Sequence, residues 1–130
     1  MVILGIDYGS AKVGLAIAEG LVAVPLRVVK YDNQRELREA IRAACAEYAV
    51  STIVVGMPHA MRGNDTAQTA DVVTFVAWLR REMSTPVVTE DERLTTAFAK
   101  QLASQWNGKA DDDAIAATLI LQSYIERNPS

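Results

Sequence analysis

Residues 1–15 read MVILGIDYGSAKVGL. Val2, Ile3, Leu4 and Ile6 form an apolar run, and Asp7 follows at once. Gly9 and Gly14 bracket a short polar turn, after which Leu15 to Ala18 is apolar again. Short apolar runs bounded by glycine indicate strands rather than a helix of ordinary length. The stretch therefore predicts two antiparallel strands joined by a tight hairpin. Asp7 is the odd member. A carboxylate at the end of a buried strand is costly unless it is paired or coordinates a metal. Either the rest of the chain supplies its partner, or Asp7 closes an Asx turn over the Gly9 hairpin.

Outward from the hairpin, Leu21 to Tyr31 is β-rich and contains Pro25, which suits an edge strand because proline cannot donate to a central ladder. Gln34 to Tyr48 carries Leu37, Ala40, Ile41, Ala44, Cys45 and Tyr48 at helical spacing, which predicts an amphipathic helix. Thr52 to Met57 is a β-branched run ending in glycine and reads as a buried parallel strand. A polar loop from His59 to Thr66 leads to a second helix with a stripe of Val72, Phe75, Val76, Leu79 and Met83. Val87 to Thr89 is a short strand running into Glu90-Asp91-Glu92-Arg93. Thr95 and Thr96 are suitable caps for a third helix with Phe98, Leu102 and Trp106 on one face, ended by Asn107-Gly108. Asp111, Asp112 and Asp113 open a last helix, where acids favour the positive end of the dipole. From Ala114 to Leu121 that helix is apolar nearly all round, so it should be deeply buried.

The order is thus βββαβαβαα. It predicts one α/β domain over residues 1–130: a mixed five-stranded sheet with helices on both faces. Three strands form an antiparallel meander, and the two later strands join in parallel through right-handed crossovers. If the first, fourth and fifth strands are neighbours, Asp7 and Glu92 leave the sheet on the same edge. Ligands bind at such strand ends in α/β sheets. The last helix has only to bring its N-terminus across that edge for three carboxylates to meet. Unpaired, they would repel one another. With Mg²⁺ or Mn²⁺ they are hard oxygen ligands for hard cations, and two such ions about 4 Å apart serve in-line displacement at a phosphodiester. Each acid also has a plainer reading: Asp111 to Asp113 as helix cap and dipole partner, Glu90 to Arg93 as a solvated turn with an internal ion pair.

Composition narrows the classes. Half of the residues are hydrophobic and the net charge is −3, which argues against disorder and against binding nucleic acid through bulk charge. Cys45 is the single cysteine and reads as a small buried hydrophobe. The chain shows no signal-peptide pattern and no membrane span, so a cytoplasmic location is expected. There is no P-loop, nucleophile elbow or C-x-x-C pair. Trp78 and Trp106 read as packing residues, and His59 as a loop residue at the same sheet edge.

Gly5-Ile6-Asp7-Tyr8-Gly9-Ser10 with Gly14, Ile53 to Pro58, Asp91-Glu92-Arg93-Leu94-Thr95-Thr96, and Asp113-Ala114-Ile115-Ala116-Ala117 through Tyr124 together resemble the YqgF/RuvX family. Those are bacterial pre-16S rRNA nucleases with an RNase H-like fold, also described as Holliday-junction-resolvase-like. The resemblance covers essentially the whole chain. It implies a divalent-metal nuclease acting on structured RNA, with Mg²⁺ or Mn²⁺ held by Asp7, Glu92 and Asp113. It places Ser10, Lys12, Arg93 and Thr96 beside the substrate and leaves Asp91 a less certain candidate than Glu92. A resolvase acting on branched DNA is the alternative and would require a homodimer for two symmetric cuts. A non-catalytic nucleic-acid- or protein-binding module is the third reading. One departure bears on binding: the segment before the last helix, Asn107-Gly108-Lys109-Ala110, holds a single lysine where the family usually carries a longer basic run.

Overall fold

The computed structural model describes residues 1–58 and 67–129. His59 and the rest of its loop lie outside the described residues. The strands are β1 (Val2–Tyr8), β2 (Lys12–Glu19), β3 (Ala23–Lys30), β4 (Val50–Met57) and β5 (Val87–Asp91). The helices are α1 (Gln34–Tyr48), α2 (Ala67–Glu82), α3 (Ala97–Ser104) and α4 (Asp112–Arg127), with one 3₁₀ turn at Glu92–Leu94. The sheet order is β3-β2-β1-β4-β5. β1 runs antiparallel to β2 and parallel to β4, and β5 is parallel to β4. This is the mixed sheet expected from the sequence, with the Pro25-bearing β3 at one edge.

Side chains alternate across the sheet, and the two faces differ. Leu4, Ile6, Val13, Leu15, Ile53 and Val55 point to α1 and α2, where they pack with Leu37, Ile41, Phe75 and Leu79. Ala16, Ala18, Ala23 and Val54 point to α4 and meet Ala117, Ile120, Leu121 and Ile125. Small residues let α4 lie close to the sheet. A Cβ on Gly14 would fall 1.9 Å from the Asp113 carbonyl oxygen, and one on Gly56 would fall 2.3 Å from Ile120 Cδ1. Among the described residues no helix is long and apolar enough to cross a membrane.

Helix ends follow their caps. Asn33 accepts from Glu36 N at the start of α1, and Thr96 accepts from Ala99 N at the start of α3. The third helix corrects the expected stripe. It buries Ala99 and Ala103, leaves Phe98 half exposed and ends before Trp106. The alanines, four apart, allow the close approach to α4 that a phenylalanine would prevent. Trp78 does pack as expected, beside Phe75, which stacks on Tyr8 at a centroid distance of 4.2 Å. Cys45 is half-buried against the same cluster.

Candidate nuclease site

The alternation that sends Leu4 and Ile6 toward α1 and α2 sends Ile3, Gly5 and Asp7 toward α4. Asp7 is paired across the hairpin with Gly14, the residue on which the first turn of α4 rests. Asp113 is thereby brought beside Asp7. The same alternation in β5 turns Val88 and Glu90 toward α4, and Glu92 follows in the 3₁₀ turn. Glu92 Oε1 lies 2.8 Å from the Cβ position of Gly56, so the missing side chain in β4 is what admits it. Three elements distant in sequence thus converge on one sheet edge.

The electrostatics record the crowding. The Asp7 carboxyl is pushed up to about 7, first by burial and then by the charges of Glu92 and Asp113. Glu92 is raised by burial and by Asp91. Asp113 is turned onto Lys12, whose Nζ lies 2.9 Å from Oδ2, and that contact holds the lysine charged. Among the described residues no three acidic, histidine or cysteine side chains are grouped so that they could hold a metal ion, and Asp113 is engaged by Lys12. The donor set nevertheless fits a divalent cation: all hard oxygens, one of them buried among like charges.

A cleft of about 350 Å³ opens here, lined by Asp7, Glu90, Asp91, Glu92, Thr95 and Ser123 among others. Its acids divide their work. Asp111 is the N-cap of α4, accepting from Asp113 N at 2.9 Å, so the capping role belongs to Asp111, while the Asp113 side chain pairs with Lys12. Asp91 accepts from the Arg93 backbone at 2.9 Å and from its guanidinium, with Nη2 to Oδ2 at 3.0 Å. The internal ion pair expected of a solvated turn exists there, alongside a Glu92 that faces the cleft. Arg93 is half exposed and held at the rim. Thr96 caps α3 and donates to Glu126 Oε2 at 2.7 Å. Ser10 is exposed in the β1–β2 turn, beside Lys12.

Sequence reasoning missed Glu90. It is buried in the floor of the cleft and paired with Arg127, which also donates to the Leu94 carbonyl. The last turn of α4 therefore grips the chain on both sides of Glu92. The available signal was the spacing of Val88, Glu90 and Glu92, which continues the inward-facing register of β5 beyond its apolar residues.

The family model that matches, over residues 1–127, is described as RuvX, Holliday junction resolvase. A protein of Orientia tsutsugamushi (strain Ikeda) named "Putative pre-16S rRNA nuclease" is 38% identical over 132 residues, covering 96% of this chain and 83% of the relative. A protein of the same name from Rickettsia typhi is 35% identical, covering 95% and 83%. Among solved structures, Thermus thermophilus RuvC in complex with a Holliday junction substrate superposes with a TM-score of 0.69 at 19% identity, covering 98% of this chain and 95% of that one. The Fowlpox virus resolvase bound to junction DNA gives 0.57 at 15% identity, covering the whole of both chains. These structures share the RNase H-like resolvase fold.

Proposed function

Because the chain belongs to the RuvX family, we propose that it is a divalent-metal-dependent nuclease that cleaves phosphodiester bonds in structured RNA, with the 16S rRNA precursor as its substrate. The observation that supports this reading is the crowding at one sheet edge of Asp7, from β1, by the charges of Glu92, in the turn after β5, and Asp113, at the start of α4. A pure binding module gains nothing from crowding carboxylates where nucleic-acid phosphates must approach. The names of the relatives supply the substrate class.

Asp7, Glu92 and Asp113 are the residues that would hold Mg²⁺ or Mn²⁺. When bound, such ions polarise the attacking water and stabilise the departing oxygen of an in-line displacement. Asp7 would be the first of these ligands to respond to charge, since burial and the charges of Glu92 and Asp113 all raise its proton affinity. Its raised proton affinity means that protons compete with metal below about pH 7, so activity rises with pH through that value. Arg93, held in plane by Asp91, presents its remaining guanidinium face to a substrate phosphate. Lys12, which pairs with Asp113, would be released toward the phosphate backbone were Asp113 to hold a metal ion.

The test is cleavage with Mn²⁺ of two labelled substrates side by side, a structured precursor-rRNA fragment and a four-way DNA junction, with Asp7→Asn as the contamination control. Cleavage of the RNA alone, lost in Asp7→Asn, is the expected result. Paired symmetric nicks in the junction would instead assign a resolvase. Undiminished activity in Asp7→Asn would remove the assignment of the site.

A further inference from the structure

Lys12 and Lys30 stand directly opposite each other where β2 begins and β3 ends. Directly opposed residues of an antiparallel pair share a face, and like charges there destabilise the sheet. The register fixes which face. Gly14 pairs with Val28, two residues on, and Gly14 lies under α4. Lys12 and Lys30 therefore stand on the α4 side, the side of the carboxylates. Read across the sheet edge from β3 to β5, the charged residues on this face run Lys30, Lys12, Asp7 and then Glu90 and Glu92. Asp113 offsets Lys12. Lys30 is exposed, and among the described residues no ion pair of 4.0 Å or less is found for it.

The two lysines line a shallow hollow of about 380 Å³ with Ala11, Tyr31 and Asp32. Its floor is pinned. Tyr31 donates its hydroxyl to the Gly9 carbonyl at 2.8 Å and its backbone N–H to the Ala11 carbonyl at 3.3 Å. The turn that follows Asp7 is thus tied to the end of β3, and the hollow keeps a fixed position relative to the site. Lys30 is two strand spacings, about 10 Å, from β1.

We infer that Lys12 and Lys30 form a seat for a backbone phosphate of the nucleic acid, flanking the scissile bond on the β3 side of the cleft. An anion between the two ammonium groups turns their mutual repulsion into shared attraction. The seat also supplies basic surface in a chain whose segment before α4 holds one lysine and whose net charge is −3. With Arg93 on the β5 side, it sets a path for the strand across the carboxylates. Asp32 works against the seat, so its removal strengthens binding.

This inference rests on the nucleic-acid reading proposed above, and one experiment separates the two. The affinity of a labelled precursor-rRNA fragment is measured over a range of salt on the Asp7→Asn background, so that no cleavage intervenes. Lys30→Gln is expected to weaken binding about threefold to tenfold at 0.1 M salt and to flatten the log–log salt slope by about 0.7 to 0.9, one phosphate contact. Asp32→Asn is expected to tighten binding. Arg81→Gln, in the last turn of α2 at the opposite end of the sheet, is expected to change neither. The melting temperature of Lys30→Gln should be unchanged or higher, since a like-charge pair is removed; loss of affinity together with a lowered melting temperature would assign Lys30 a structural role instead. An unchanged slope in Lys30→Gln overturns the seat while leaving the nuclease reading intact. Absence of binding by the Asp7→Asn parent at low salt overturns both.

Discussion

The two faces of the sheet are built by opposite rules. Toward α1 and α2, the strands present Leu4, Ile6, Leu15, Ile53 and Val55, fully buried among large aliphatic and aromatic partners. Toward α4 they present mostly small residues, Ala16, Ala18 and Ala23 with glycines at 5, 14 and 56, and at Gly14 the helix backbone itself fills the space. The first face gains stability from apolar area. The second gives up side-chain volume for closeness, and closeness is what lets the start of α4 deliver Asp113 beside Asp7. A protein that needed only stability would have no reason to leave glycine at both position 14 and position 56. The difference separates a load shared by many side chains from a geometry that depends on a few missing ones.

That contrast can be broken. Leu4→Ala, on the large-residue face, should cost about 2–5 kcal/mol in urea unfolding while leaving cleavage per folded molecule intact. Gly14→Ala should cost less, about 1–3 kcal/mol, as an overpacked contact does, yet should reduce cleavage sharply, because the added methyl displaces the Asp113 backbone. If Gly14→Ala kept full activity per folded molecule, the close seat of α4 would not be what positions Asp113.

A smaller effect sharpens the same comparison through pH. Asp7 titrates at about 7 in the folded chain against 3.8 as a free side chain, so the native state holds its proton over that window and the unfolded state does not. The sign follows: the protonated group favours folding at low pH, and this contribution is lost as pH rises through about 7. Metal-free Asp7→Asn should therefore match wild type near pH 4 and be more stable by about 1–2 kcal/mol at pH 8. Thermal melts across pH check this, and a difference independent of pH would remove the buried, crowded carboxylate from the account.

Much of this architecture was legible beforehand, for physical reasons. Periodicity shows which strands alternate and which helices are amphipathic, Pro25 marks an edge, and the crossover rule orders the parallel strands. With that order Asp7 and Glu92 must leave on one side. What periodicity does not show is which of two similar stripes a short helix buries: Ala99 and Ala103, rather than Phe98 and Leu102, are decided by how near α4 lies. Nor does it separate adjacent acids by role. Asp91 serves Arg93, Asp111 caps α4, and Glu90 is buried against Arg127, each through a contact made only in three dimensions. The pairing of Lys12 with Asp113 on one side and Lys30 on the other depends likewise on strand register, which hydrophobic pattern alone leaves open.

The central claim is that three acids from three elements act as one metal site. Calorimetric titration of Mn²⁺ at pH 8 into wild type, Asp7→Asn, Glu92→Gln, Asp113→Asn and Asp111→Asn tests it most directly. The account predicts binding by wild type and by Asp111→Asn, with affinity lower by about tenfold or more in each of the other three, as for loss of a carboxylate ligand or its support. Wild-type affinity in Asp7→Asn would contradict it.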